Sequence, residues 1–170
     1  MKNISFRNDV LPMKNELFRL ALRITRNAQE AEDVVQETLI KVWDRRDSWH
    51  LIDNIEAFCM TTCRNMSIDR CRKLDNSHLS LGQEIVQIPS GGNNPLEHTA
   101  VSDKVEQVRL LIASLPEKQR TCLHLRDFEG KSYREISQIM SITEEQVKVS
   151  IFRARQTIKQ KFQKIDEYGL

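Results

Sequence analysis

Glycine and proline are scarce in this chain, five and four residues of 170, and Gly82, Gly91 and Gly92 fall in one stretch. With so few turn formers, only 6% aromatics and many Leu, Ile, Glu, Lys and Arg, composition points to an all-α protein. No run approaches the roughly 20 apolar residues of a membrane span. The N-terminus lacks the apolar core of a signal peptide. The expectation is a soluble, cytoplasmic protein with no membrane insertion of its own. Cysteine is limited to Cys59, Cys63, Cys71 and Cys122, without metal-finger spacing between pairs. Cys59 and Cys63 lie one turn apart and could in principle hold zinc with His50 or His78, but buried reduced thiols are the favoured reading. No metal and no cofactor are expected. Neither sign of charge dominates: charged residues make up 29% and the formal net charge is +2. Such a near-balance says little about partners, because local asymmetry survives it.

What is present is helical period. A length of 170 residues with 39% hydrophobic content suits one medium domain or two small ones. A first block runs to about Leu74. Leu11, Phe18, Ala21, Leu22 and Ile24 mark an amphipathic first helix. Asn27 and Glu30 look like a capping box opening a second helix. Ala31, Val34, Val35, Thr38, Leu39, Val42 and Trp43 line one face of it. The polar segment from Asp44 to Asn54 holds Trp49 and is too rich in Asp, Arg and Asn to be core. Asp53 and Glu56 then open a third helix with Ile55, Phe58, Cys59, Thr62 and Met66 on its buried side.

From Asp75 to Asn94 the period dissolves. The stretch reads as a flexible linker, although its LSLGQEIVQI portion has some strand character. The second block starts near Pro95. Val101, Val105, Val108, Leu111 and Ile112 mark a helix that Ser114-Leu115-Pro116-Glu117 breaks. The next helix carries Cys122, Leu123 and Leu125 and ends near Phe128-Glu129-Gly130. The chain is thus read as two small helical domains, 1–74 and 95–170, joined by 75–94.

Two helix-start signals, eleven residues apart, then follow. Ser132 precedes Glu135 by three residues, and Thr143 precedes Gln146 by three. Each pair can close a capping box. A short helix, Tyr133 to Met140, must therefore end and another begin after Ser141, Ile142 and Thr143. This is a helix-turn-helix, with Lys148, Arg153, Arg155, Lys159, Lys161 and Lys164 along the second helix.

Three surfaces carry candidate function. In the last helix Val147, Ile151, Ala154, Ile158 and Phe162 are core. Glu145, Lys148, Val149, Phe152, Arg153 and Gln156 face away, where cations meet phosphate and polar or apolar side chains meet base edges. Glu144 suits the helix dipole, and Glu145 suits either the dipole or a cytosine amine. In the third helix Thr61, Asn65, Ile68 and Arg72 share a flank, with Arg64 beside them and Arg70 and Lys73 adding charge. Trp49 could stack on an unpaired base, although packing against a neighbour is commoner. The second helix clusters Asp33, Gln36, Glu37 and Asp44 around an exposed Ile40. Docking onto a basic protein surface explains that better than a plain solvent face.

The order of these features resembles the extracytoplasmic-function sigma factors, the small promoter-recognition subunits of bacterial RNA polymerase. AEDVVQETLIKVW is similar to their core-binding helix. NIEAFCMTTCRNMSIDRCRK is similar to the helix that melts and reads the minus-ten element. SLPEKQRTCLHLRDFEGKSYREISQIMSITEEQVKVSIFRARQTIK is similar to the minus-thirty-five reader. The resemblance spans nearly the whole chain. It implies that Asp33, Gln36, Glu37 and Ile40 meet the clamp helices of the largest subunit of core RNA polymerase. It places Asn65, Asp69, Arg72 and Lys73, with Trp49, Thr61 and Arg64, at melted upstream DNA. The loop from Ser48 to Asn54 helps hold a flipped-out base, and the linker threads toward the active-centre channel.

Ser132, Thr143, Glu145, Gln146, Lys148, Val149, Phe152 and Arg153 are the implied minus-thirty-five contacts. The second block packs on the flap of the other large subunit. A further implied partner is an anti-sigma protein, often membrane-bound. Glu145 and Ser150 depart from the family's habit, so a relative's promoter sequence does not transfer. No built-in inhibitory segment is expected. A stand-alone helix-turn-helix regulator binding duplex DNA as a dimer is the alternative, but it leaves the acidic face and the first block unexplained. A zinc or thiol enzyme has little support: helical spacing sends Cys71 away from Cys59 around the axis, and no general base is close in sequence.

Overall fold

A computed structural model describes residues 3–81 and 100–167, and these residues are helical without a strand. The helices are α1 (Lys14–Thr25), α2 (Ala28–Asp44), α3 (Ile55–Leu81), α4 (Ala100–Ser114), α5 (Glu117–Leu123), α6 (Tyr133–Met140) and α7 (Glu144–Glu167). The chain divides into two compact units, Met1–Ile88 with Ser137–Ser141, and Pro89–Ile136 with Ile142–Leu170.

The first unit is built on α1, α2 and α3. Two short turns, Phe6–Val10 and Leu11–Met13, lead into α1, with Pro12 where its fixed φ favours helix entry. Arg26 ends α1 in the left-handed region at φ 55°, its N–H donating to the Leu22 carbonyl at 2.9 Å. Asn27 Oδ1 then accepts from Glu30 N at 3.0 Å and starts α2. Only this half of the expected capping box forms, because the Glu30 carboxylate turns to Arg70 at 2.7 Å. α3 starts one residue later than expected: Asn54, not Asp53, accepts from Ala57 N at 3.1 Å.

α3 also runs to Leu81, past the expected end at Leu74. Asp75, Asn76 and Ser77 are weak helix formers, each costing under ~1 kcal/mol against Ala, and no Gly or Pro intervenes before Gly82. The rest of the expected linker, with most of its strand-like portion, lies outside the described residues.

The core of this unit takes Val10, Met13, Leu17, Leu20, Ala21 and Ile24 from the first segment and helix. α2 adds Ala31, Val34, Val35, Thr38 and Val42, and α3 adds Cys59, Met60, Cys63 and Ser67. The hydroxyls on this face are satisfied within their own helices: Thr38 donates to Val34 O at 2.7 Å and Ser67 to Cys63 O at 2.8 Å. Leu11 and Trp43, expected as core, are 41% and 44% exposed. Trp49, expected outside it, is buried, with Nε1 donating to Val42 O at 3.1 Å. Its ring stacks on Phe6 at 6.4 Å and meets Trp43 edge-on at 6.3 Å. The polar neighbours point outward, but a turn at Arg46–Leu51 folds the indole back under α2, the commoner of the two readings of Trp49.

In the second unit α4 breaks at Ser114 as the Pro116 signal requires, and α5 begins at Glu117. The buried Arg120 guanidinium crosses the break, donating to Ala113 O at 3.1 Å and Leu115 O at 3.3 Å. α5 widens into a turn over His124–Phe128 and closes at Gly130, φ +67°, where Lys131 N donates to Leu125 O at 2.9 Å. Ile112, Leu115, Cys122, Leu123, Leu125, Ile136, Val147, Ile151 and Ala154 form the core. Val105, expected to face inward, is 52% exposed. Val101's side chain lies outside the described residues.

Both tryptophans, Trp43 and Trp49, sit in the first unit, so their fluorescence reports that unit's unfolding in the full chain. Leu17 is fully buried between helices. Leu17→Ala is expected to destabilise this unit by about 2–5 kcal/mol, read as a lower urea midpoint of the tryptophan signal.

Candidate polymerase and nucleic-acid interfaces

The outward face of α2 forms one stripe. Asp33, Gln36, Glu37 and Ile40 recur at helical spacing on it. Gln36 and Glu37 are exposed, Asp33 is half-buried, and Ile40 is 60% exposed. Trp43 stands one turn beyond Ile40, with the Arg46 guanidinium 4.7 Å from its ring centroid. The acids are not loose. Arg70 of α3 reaches across, its Nη1 2.7 Å from Glu30 Oε2 and 3.7 Å from Asp33 Oδ2, and its Nη2 bonds to Glu37 Oε1. The hydrogen bond to Glu30 is the largest of the effects that raise the Arg70 pKa further. Arg70, counted from sequence among surplus cations at the end of α3, is therefore engaged within the unit.

The opposite flank of α3 gathers the expected DNA residues. Asn65, Asp69 and Arg72 follow each other at one-turn steps and are exposed, with Lys73 exposed beside them. Thr61 and Arg64 are half-buried on the same helix. Trp49 does not join them. Its ring faces are in the aromatic cluster and its N–H is used, so it is not available to stack on a base. The Arg46–Leu51 turn presents Leu51 instead, 74% exposed. No periodicity marks Leu51 in the sequence, because a single apolar residue in a polar turn carries no pattern.

Both capping boxes of the helix-turn-helix close. Ser132 N donates to Glu135 Oε2 at 2.8 Å and Glu135 N to Ser132 Oγ at 3.1 Å. Thr143 N donates to Gln146 Oε1 at 3.0 Å and Gln146 N to Thr143 Oγ1 at 3.1 Å. Ser141 ends α6 at φ 55°, in the left-handed region. On α7 the expected core residues Val147, Ile151 and Ala154 are buried. Glu145, Lys148, Arg153 and Gln156 are exposed, and Val149 and Phe152 are 45% and 62% exposed among them.

Three further residues shape this face and were not singled out from sequence. The Tyr133 ring lies between two cations, Arg126 at 4.3 Å and Lys148 at 5.4 Å from its centroid. Asp127 receives Arg155 Nε at 3.2 Å and Nη2 at 2.5 Å. Arg155, counted in the basic run, therefore anchors α7 to the preceding turn. Its pKa is raised, chiefly by the hydrogen bond to Asp127. Pairings of this kind link residues distant in sequence, so no local spacing announces them.

Neither Cys59 nor Cys63 carries an activated thiol. Burial pushes Cys59 up to about 12, with Cys63 and Glu56 adding to it. Burial also pushes Cys63 up to about 12, against hydrogen bonds from Ser67 and Thr38 that lower it. Cys63 Sγ lies 3.4 Å from Leu17 O, and Cys71 Sγ 3.4 Å from Ile24 O. A thiolate nucleophile needs a depressed pKa.

Comparison with known proteins fits this geometry. Residues 10–77 match the family model Sigma-70 region 2, and residues 105–158 match Sigma-70, region 4. The chain is 30% identical over 164 residues to the RNA polymerase sigma-H factor of Pseudomonas aeruginosa, covering 91% of this chain and 84% of that protein. It is 32% identical over 144 residues to the ECF RNA polymerase sigma-E factor of Escherichia coli K12, covering 79% and 74%. The chain belongs to the extracytoplasmic-function sigma factors.

The SigW sigma factor of Bacillus subtilis is 27% identical, with 86% of this chain and 82% of that one covered. Among solved structures, the sigma factor RpoE of Bartonella quintana, crystallised with the anti-sigma factor NepR, shares the fold. Its TM-score is 0.74 at 24% identity, covering 95% of this chain and 98% of that one. As an alternative sigma factor, the protein binds core RNA polymerase and promoter DNA and directs transcription initiation. The stand-alone regulator is not favoured, because region 2 accounts for the first unit that reading left unexplained. Among the described residues no helix is long and apolar enough to cross a membrane.

The two raised thiols make the first unit sensitive to alkali. Below pH 9.0, the ordinary thiol value, folded and unfolded chains both keep these protons. Between 9.0 and about 12 the unfolded chain releases protons that the folded unit still holds, so stability falls as pH rises. The urea midpoint of the tryptophan signal is expected to drop across that window, and to drop less in the C59A/C63A double variant.

Proposed function

We propose that this sigma factor acts without catalysis, in the cytoplasm, by using binding energy from two faces of its first unit and one of its second. The α2 stripe of Asp33, Gln36, Glu37 and Ile40 docks on the clamp helices of the largest polymerase subunit. Acid beside exposed aliphatic surface suits a basic, partly apolar partner. On α3, Asn65, Asp69, Arg72 and Lys73, with Thr61 and Arg64 nearby, meet the melted minus-ten region. The loop from Ser48 to Asn54 receives a flipped base. An apolar contact from Leu51 there offsets part of the few kcal/mol that unstacking costs.

In the second unit α7 enters the major groove at the minus-thirty-five element. Lys148 and Arg153 hold phosphates, while Val149 and Phe152 meet base edges or thymine methyls. Glu145 and Gln146 at the start of α7, and Ser132 and Thr143 at the two caps, are further proposed contacts. The second unit docks on the flap of the other large subunit. Promoter sequence is not carried over from relatives, since Glu145 stands exposed at the start of α7; Ser150, the other departure, is buried and off the reading face. An anti-sigma protein is a further proposed partner, as one is for the Bartonella neighbour.

The observation that carries this reading is the coexistence, on one three-helix unit, of an acid-and-aliphatic stripe on α2 and an exposed Asn65–Asp69–Arg72 stripe on α3. Its test is run-off transcription with purified core polymerase, genomic DNA and this protein, with starts mapped. New starts that depend on the protein are expected; unchanged initiation by core polymerase would overturn the assignment. Charge reversal at Asp33 and Glu37 is expected to weaken capture of core polymerase at least about a hundredfold, since like charges across an interface cost several kcal/mol. Arg153→Ala is expected to weaken binding to all promoters alike and lower the salt slope by about one. A loss confined to one base position would reassign Arg153 to base reading.

A further inference from the structure

Three carboxylates follow one another along α2, Glu30, Asp33 and Glu37, and all three converge on one guanidinium from another helix. Arg70 engages one oxygen of each: Glu30 Oε2, Asp33 Oδ2 and Glu37 Oε1. The side chains of Asp33 and Glu37 remain 48% and 49% exposed, whereas those of Arg70 and Glu30 are 26% and 23% exposed. The hub is thus the inner member and the two proposed docking acids the outer ones. An ion pair at such exposure contributes little to folding. Its larger effect is on freedom: Glu and Asp side chains that would repel along a helix are held in one arrangement.

We infer that Arg70 is a positioning residue for polymerase docking. It fixes Asp33 and Glu37 as a preorganised acidic template, so a basic partner meets their remaining oxygens without having to order the side chains first. The inference rests on the proposed α2 dock and names what holds it in shape. It opposes simple charge counting. Removing Arg70 makes the face more negative, which by steering alone would speed association and tighten binding to a basic surface. Loss of positioning has the opposite sign, and most of it falls on dissociation.

The experiment compares full-length wild type, Arg70→Gln, Arg70→Lys and Glu30→Gln for binding to core RNA polymerase, with association and dissociation rates measured separately. For Arg70→Gln, dissociation is expected to be about tenfold faster, as two side chains lose their restraint, with association unchanged or faster. Arg70→Lys keeps the charge but not the planar fork that spans several carboxylates, so it is expected to recover only part of the loss. Glu30→Gln weakens the most buried anchor of Arg70 without touching Asp33 or Glu37, and is expected to shift dissociation the same way by less.

Tryptophan fluorescence shows whether each first unit is folded; should Arg70→Gln not fold, Glu30→Gln decides. Unchanged or tighter binding of folded Arg70→Gln, or in its absence of Glu30→Gln, overturns the inference. Gln36→Lys/Ile40→Lys, which leaves the Arg70 pairs in place, tests the dock itself. If that variant binds like wild type, the dock assignment falls and Arg70's role with it. If it loses binding while Arg70→Gln does not, only Arg70's role falls.

Discussion

The first unit depends on how α3 packs against α1 and α2. Its buried face is made of Cys59, Met60, Cys63 and Ser67, mostly small side chains that let helix axes approach closely. Cys63 reaches the Leu17 carbonyl of α1, and Thr38 of α2 lies 3.6 Å from Met66 Sδ. Because one flank of α3 is committed to this packing, helical period turns Asn65, Asp69 and Arg72 outward. The same packing brings Arg70 alongside α2, where it meets the acids. A proposed DNA face and a proposed protein dock are thus two consequences of one buried stripe.

The helix-turn-helix uses hydrogen bonds at helix ends for the same purpose. The boxes at Ser132–Glu135 and Thr143–Gln146 satisfy orphan amides at the starts of α6 and α7, and the left-handed Ser141 stops α6 before the turn can wander. Arg155 on Asp127 adds a restraint further along α7. With its start capped and its middle tied, α7 can leave Val149 and Phe152 exposed without needing a neighbour to position them. Large apolar side chains held in water are costly in a lone domain, which is why their place on the proposed reading face matters.

Local signals were legible and long-range ones were not. The bounds of α6, the break before Pro116 and the buried stripe of α7 follow from caps, proline and period, all written within a few residues of where they act. The Asn27 box formed only by half because Glu30 found Arg70, forty residues away. The same holds for Trp49: its polar neighbours describe the turn, while Phe6 and Trp43 describe where the ring goes. Among the candidate contacts, the α2 and α7 stripes were readable as faces. Their restraints, Arg70, Asp127 and the Tyr133 sandwich, exist only once helices are packed.

Charge bookkeeping shows what that difference means for recognition. A formal +2 says little about partners. In the fold, Arg70 is absorbed by the acids of α2 and Arg155 by Asp127, so neither cation counts toward a nucleic-acid surface. What is left exposed is mixed at close range: Arg72 and Lys73 beside Asp69 on α3, Lys148 and Arg153 beside Glu145 on α7, and the outer carboxylate edge of α2. Exposed charges act on a partner mainly within a Debye length of about 8 Å at physiological salt, so each stretch is read locally and not through the net charge. The internal pairs act on that local balance by committing Arg70 and Arg155 to carboxylates of their own unit.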